Sequence, residues 1–159
     1  MVWWCPDPRG VLPVAELHVS RRLERTLRSG RFRLTSNQAF AEVVAACAGG
    51  REDGTWIHPE VASCYRALHA AGRARSFEAW RDGRLVGGLF GLPLGRVFCA
   101  ESMFHGERDA SKATLVHAVR TLAQEGVELL EVQFVTPHLA SLGARAIPRA
   151  EYLARLALS

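Results

Sequence analysis

The chain's 159 residues, 48% of them hydrophobic, suit one α/β or α+β domain with an ordinary core and argue against disorder. No apolar run approaches the roughly 20 residues of a membrane helix, and MVWWCPDPRG lacks the basic-then-apolar pattern of a secretory leader, so no membrane and a cytoplasmic location are expected. The net charge of +4 includes a local concentration of arginines, and Cys5, Cys47, Cys64 and Cys99 are scattered without a CxxC pair, which reads as buried free thiols rather than zinc ligands or disulfides.

In chain order, residues 1–13 hold three prolines and two tryptophans and read as an irregular lead-in. Ser20 suits an N-cap for a basic helix to about Arg28, closed by Ser29-Gly30. Arg21, Arg22, Arg25, Arg28, Arg31 and Arg33 fall within HVSRRLERTLRSGRFRL, with only Glu24 against them. That density suits phosphate binding or, on the plainer reading, a solvated helix face. RFRLT predicts a short strand, and Ser36 or Asn37 a cap for a helix through Ala48 with Ala39, Phe40, Val43, Val44 and Cys47 on its apolar side. GGREDG predicts a loop. Pro59 opens a helix that is apolar at Val61, Cys64, Tyr65 and Leu68 and stops at Gly72.

Asp82-Gly83 predicts a tight hairpin between alternating segments, and Pro93 with Gly95 a second turn into a third strand. HGERDASK leads into a helix from about Ala110 to Gln124, with Gly126 after its end. A strand follows at about 127–135, then a helical turn from Pro137 to Gly143, and a last strand or helix around Tyr152. The predicted class is α+β, a mixed or antiparallel sheet flanked by helices.

Two sites place polar groups in apolar surroundings. In LLEVQF, Glu131 and Gln133 are two apart, so a strand turns both to one face; in FCAESMF, Glu101 follows a buried strand. A buried carboxylate needs a donor or a wet cleft. Glu131 is thus either paired to an arginine in the sheet or part of a site, and two such positions on neighbouring elements favour a shared cleft. LVGGLFG suggests a bulge or a close backbone approach. No metal-ligand spacing appears among the histidines, so no metal is expected, and there is no GxxxxGK[ST] or glycine fingerprint.

The blocks WWCPDPRGVLP, LHVSRRLERTLR, DGTWI, YRALHAAGRARSFEAW, DGRLVGGLFGLPLGRVFCAESMFH, DASK, QF and LASLGARAIPR occur in this order. Together they resemble the bacterial leucyl/phenylalanyl-tRNA–protein transferases over essentially the entire chain. The resemblance implies a GNAT-like acyltransferase fold in residues 35–159, with residues 1–34 a remnant of the family's N-terminal region carrying the basic helix. It implies transfer of Leu or Phe, and less well Met, from aminoacyl-tRNA to an N-terminal Lys or Arg of a protein, marking it for degradation. The ester is already activated, so the resemblance implies no cofactor, and the catalyst must orient the amine, help remove its proton and accommodate the developing charge.

By the same resemblance Glu131 and Gln133 are the catalytic pair. Trp56 and Tyr65 would hold the terminal adenosine and shape the entrance, Trp3 would be another pocket tryptophan, and Leu89, Glu101, Met103, Ala118 and Leu122 would form the aminoacyl pocket, with Glu101 at the substrate's α-amino group. Arg21, Arg22, Arg25, Arg28, Arg31 and Arg33 would meet tRNA phosphates. The chain departs from the family where Glu131 replaces the usual Asp, where Ala118 and Leu122 replace pocket phenylalanines (which predicts a larger cavity and a looser preference), and in its short N-terminal part. A second reading keeps the chemistry but makes the acceptor a small-molecule or peptide amine in a biosynthetic pathway. An acyl-CoA acetyltransferase would need a Q/R-x-x-G-x-G/A run, which HGERDASK lacks. A tRNA-binding module without catalysis leaves Glu101, Glu131 and Gln133 unexplained.

Overall fold

A computed structural model describes residues 5–49 and 54–157. The strands are β1 (Arg9–Pro13), β2 (Arg33–Ser36), β3 (Arg75–Arg81), β4 (Arg84–Leu94), β5 (Val97–His105), β6 (Leu129–Gln133) and β7 (Arg145–Ile147). They form one seven-stranded sheet in the order β2-β3-β4-β5-β6-β1-β7. Every neighbouring pair is antiparallel except β5 and β6, which run parallel. The helices are α1 (Arg21–Arg28), α2 (Phe40–Ala48), α3 (Pro59–Ala70), α4 (Ala110–Gln124), α5 (Pro137–Ala140) and α6 (Arg149–Ala157).

Much of this follows from local signals. The Ser20 hydroxyl accepts the Leu23 amide at 3.2 Å and starts α1, while Gly30 takes the positive φ that ends the turn beyond it. Asp82 and Gly83 both adopt φ > 0, the conformation a two-residue hairpin requires.

Four expectations are corrected. The tail of the supposed lead-in is β1, an interior strand between β6 and β7 with Val11 and Leu12 buried. Neither Ser36 nor Asn37 caps α2, which starts at Phe40. Asn37 instead trades hydrogen bonds with Ser76, and the fully buried Glu78 reaches the Ala39 amide while accepting the Thr35 and Ser76 hydroxyls at 2.5 and 2.6 Å. Pro93 lies within β4, leaving the turn to Gly95 and Arg96. Cys5 and Cys64 are exposed, so only Cys47 and Cys99 are buried thiols. The last segment holds both a strand and a helix, β7 and α6. GGREDG lies almost wholly outside the described residues.

The helices cover both faces of the sheet. On β4, a Cβ at Gly87 would press on Ala110 of α4, whereas one at the next residue, Gly88, would press on Val43 of α2. Successive strand residues face opposite ways, so α4 and α2 lie on opposite sides. The α4 side joins Leu12, Phe77, Leu89, Phe98 and Leu130 to Val119 and Leu122, and includes Leu23 of α1. The other side holds Val43, Tyr65 and Phe90 under α2 and α3, and Val11, Cys99, Leu129 and Tyr152 under α6. Thus β1 and α1, from the first 34 residues, share the sheet and core with the rest. Among the described residues no helix is long and apolar enough to cross a membrane.

A candidate aminoacyl-transfer site

The site forms where β5 and β6 stop pairing. The parallel ladder covers only Val97–Cys99 against Leu129–Glu131, while β5 runs on to His105. Glu131, the last residue of β6 paired with β5, is 1% exposed. Arg9 of β1 brings its Nε to 2.9 Å from Glu131 Oε1, with its guanidinium 5.2 Å from the centre of the Tyr152 ring. The same Oε1 accepts the backbone N–H of Gln133. Cys99 lies below, its Sγ 3.5 Å from the Tyr152 hydroxyl, and burial pushes its thiol up to about 11. Burial also raises the Glu131 carboxyl above the usual glutamate range, against the opposing pull of Arg9 and of the Gln133 N–H.

Gln133 ends the strand in an unexpected way. Its φ is 57°, a left-handed conformation that breaks the alternation of β6. Glu131 and Gln133 therefore do not project side by side from one regular strand. Gln133 instead reaches across the gap, and its Nε2 donates to Ala100 O of β5 at 2.9 Å. That bond uses one amide proton and leaves the carboxamide oxygen as an acceptor beside the gap.

Glu101 sits on the same stretch of β5 at a bulge. Phe90 pairs with Ser102 and Gly91 with Ala100, so Glu101 has no partner on β4. Gly91 makes this possible, because a Cβ there would collide with Cys99 O. The half-buried Glu101 carboxylate accepts the Tyr65 hydroxyl. Burial raises its pKa, the Tyr65 bond opposes that, and the charge of Glu131 adds to it. Tyr65 meets Trp56 edge-on at 6.1 Å and Phe90 at 4.9 Å, and Trp56 remains 41% exposed.

A stability consequence follows from the raised pKa of Glu101. Its neutral form favours the fold fully below the ordinary glutamate pKa, and that benefit is lost as pH rises through the folded value. Glu101→Gln should therefore raise Tm at pH 8 by roughly 2–4 °C, the scale of about 1 kcal/mol in a chain of this size. Thermal melts from pH 4 to pH 8 should show the gain shrinking toward acid; a pH-independent difference would contradict it.

The expected aminoacyl pocket divides between the faces. Leu89, Ala118 and Leu122 are fully buried in the α4-side cluster, with Met103, the cross-strand partner of Leu89, packed against it. Glu101, Tyr65 and Trp56 form a group on their own, in contact with the α2–α3 side. The bulge at Glu101 breaks the simple alternation that would have aimed Glu101 and Met103 the same way. Trp3 lies outside the described residues.

The arginine group is also less open than its sequence density suggests. Arg22 grips Asp109 through two bonds of 2.7 and 3.0 Å, Arg28 pairs with Glu24, and Arg31 pairs with Glu107. Arg33 bonds Gln38 and lies over Trp80. Acids distant in sequence supply this neutralisation. Arg21 and Arg25 are exposed and make no ion pair among the described residues. Sequence reasoning missed Arg9 altogether; its signal was a lone arginine opening the apolar run GVLP. Among the described residues no three His, Cys, Asp or Glu side chains are grouped to hold a metal ion.

The architecture is shared with known acyltransferases. A GCN5-related glucosamine N-acetyltransferase region of a fungal β-N-acetylglucosaminidase superposes with a TM-score of 0.59 at 13% identity, covering 89% of this chain and 20% of that one. A conserved protein of unknown function from Bacteroides thetaiotaomicron gives 0.63 at 11% identity, covering 86% and 54%. At such identities the likeness is one of fold. Sequence is more specific. A leucyl/phenylalanyl-tRNA–protein transferase of Thiobacillus denitrificans is 54% identical over 157 residues, spanning 98% of this chain and 69% of that protein. One from Anaeromyxobacter sp. is 52% identical, spanning 98% and 68%. The family profile described as leucyl/phenylalanyl-tRNA protein transferase matches residues 11–157, a span that takes in Glu101, Glu131 and Gln133, and the chain belongs to that enzyme family.

Proposed function

We propose that this chain transfers an apolar aminoacyl group of the Leu or Phe type from aminoacyl-tRNA to an amine, with the N-terminal Lys or Arg of a protein as acceptor. The observation that carries this reading is Gln133, tethered to Ala100 O with its carboxamide oxygen beside the gap between β5 and β6. The acceptor amine donates to that oxygen and attacks the ester carbonyl. The new C–N bond forms, the bond to the 3′-oxygen of the terminal ribose breaks, and the proton leaving nitrogen ends on that oxygen. The ester supplies the activation, so the protein contributes orientation and hydrogen bonding.

Other residues take supporting roles. Glu101 receives the substrate's α-ammonium group, whose charge favours the ionised carboxylate and rewards an aminoacyl over a plain acyl group. Trp56 and Tyr65 stack on the terminal adenosine. Met103, half-buried against Leu89, Ala118 and Leu122, bears on the size of the aminoacyl side chain, while those three are fully buried and act only through it; an apolar fit is worth about 1–3 kcal/mol per methylene. Glu131 does not act as a free base in this scheme, because its Oε1 is already held by Arg9 and by the Gln133 amide.

The test is incubation with radiolabelled Leu-, Phe-, Met- and Trp-tRNA and a protein starting with Lys or Arg. Label in the protein supports the reading. Label transferred only when a small amine is supplied moves the acceptor to the biosynthetic alternative, and no transfer at all rejects the chemistry. For tRNA binding, Arg21 and Arg25 are the phosphate contacts with free charge. Arg21→Ala/Arg25→Ala should weaken binding roughly 10-fold at 50 mM salt and lower the log–log salt slope by about two. Arg28→Ala, which removes a charge already paired to Glu24, should change the slope less. Filter binding across a salt series distinguishes them; equal slopes would assign binding elsewhere.

A further inference from the structure

We infer that Arg9 is a positioning residue for transfer, acting through Glu131 on the backbone and carboxamide of Gln133; this rests on the transfer reading above. Three contacts make the chain of action. Arg9 Nε lies 2.9 Å from Glu131 Oε1, that oxygen accepts the Gln133 N–H, and Gln133 Nε2 bonds Ala100 O at 2.9 Å. The middle contact holds Gln133 at φ 57°, a conformation a glutamine adopts only when its surroundings impose it.

The β1 backbone reinforces the same point. Gly10 pairs with Gln133 at an irregularity in register, and a Cβ at Gly10 would fall 2.8 Å from the Phe134 carbonyl carbon. The strand carrying Arg9 therefore lies directly against the peptide whose geometry it sets. Tyr152 covers the guanidinium from the other side.

Fold stability is a poor explanation for this arrangement. The Arg9 side chain is 11% exposed, yet its Nε and Nη1 are both buried without a hydrogen-bond partner, the 2.9 Å contact with Glu131 being an ion pair. Buried ion pairs are commonly replaced by apolar side chains at no loss of stability, and an unsatisfied guanidinium proton adds a cost. An Arg–Glu pair kept under these terms fits a requirement of the site. It also explains why Glu131 Oε1 is committed to Arg9 and to the Gln133 N–H: its task is to fix Gln133.

The experiment compares Arg9→Met, Arg9→Lys, Gln133→Ala and Arg9→Met/Gln133→Ala with the parent chain. Arg9→Met should lower kcat 10- to 100-fold while KM for aminoacyl-tRNA stays within about twofold, and Arg9→Lys, which retains a cation for Glu131, should recover part of kcat. In the Gln133→Ala background Arg9→Met should cost less than about threefold more. Amide hydrogen exchange provides a readout independent of activity: the Gln133 N–H should exchange at least 10-fold faster in Arg9→Met, with Leu130 unchanged. If Arg9→Met does not fold, Arg9→Lys carries the same measurements. Additive losses, a change confined to KM, or an unaltered Gln133 exchange rate would overturn the proposal. A parent chain without transfer activity would reject the functional reading instead, and the exchange rates would still decide whether Arg9 holds Gln133.

Discussion

Gln133→Ala is expected to lower kcat for aminoacyl transfer by about 100-fold or more, the usual scale for losing a positioned group that exchanges a proton or hydrogen bond with the reacting centre. The side chain is tied by one bond to Ala100 O and is not part of the buried core, so little else depends on it. Alanine and glutamine pay a similar backbone penalty at φ 57°, and Tm should move by only a few degrees. KM for aminoacyl-tRNA should change by less than about threefold, because the aromatic and apolar side chains assigned to substrate binding are untouched. Gln133→Glu sharpens the test. It keeps an oxygen acceptor but replaces the N–H donor to Ala100 O with a carboxylate facing a carbonyl, so it should lose a comparable amount of kcat. Single-turnover transfer with saturating enzyme isolates the chemical step. Activity within twofold of the parent would remove Gln133 from the mechanism.

The fold was most legible where the signals were local. A hydroxyl before RRLERTLR, the Asp82-Gly83 pair and the helix from Ala110 to Gln124 each rest on contacts within a few residues, and each appears where the sequence places it. β1 was not legible because its strand character comes from pairing with β6 and β7 near the other end of the chain, while Pro6 and Pro8 just before it suggest irregular structure. The candidate site shows the same division. Glu101, Glu131 and Gln133 stood out because polar groups in apolar runs need a reason. The reason for Glu131, however, is Arg9 on another strand, and no spacing rule links the two.

Face assignments failed for a related cause. Strict alternation gives Glu131 and Gln133 one direction, but a positive φ at Gln133 and a bulge at Glu101 each reset the pattern. Both irregularities fall beside the gap between β5 and β6. The exposure of charge in the arginine group also depends on long-range pairing, since Asp109 and Glu107 pair with Arg22 and Arg31 from the loop before α4. What remains, Arg21 and Arg25, is a smaller surface with a more definite charge.

Glu131→Ala is expected to be the most destabilising of the single substitutions, by about 3–5 kcal/mol, because it leaves a buried arginine without its counter-charge. In a chain of this length that corresponds to a fall in Tm of roughly 6–20 °C. The reverse substitution should be milder. Guanidinium groups keep their charge in proteins, whereas Glu131 in Arg9→Met can take up a proton, and burial already pushes it in that direction. With its folded pKa raised further, Glu131 in Arg9→Met favours the fold below the ordinary glutamate range, and that benefit disappears as pH rises through the folded value. Arg9→Met should therefore come closest to the parent's Tm near pH 4 and fall furthest behind at pH 8, while the deficit of Glu131→Ala should lack that trend from this pair. Arg9→Met/Glu131→Met, which replaces both charges with apolar side chains of similar length, should regain most of the lost stability without regaining transfer, since the Gln133 amide no longer has its acceptor. Thermal melts at several pH values and single-turnover transfer on the same samples separate the two consequences. A double variant that recovers both stability and activity would mean that the pair serves the fold alone.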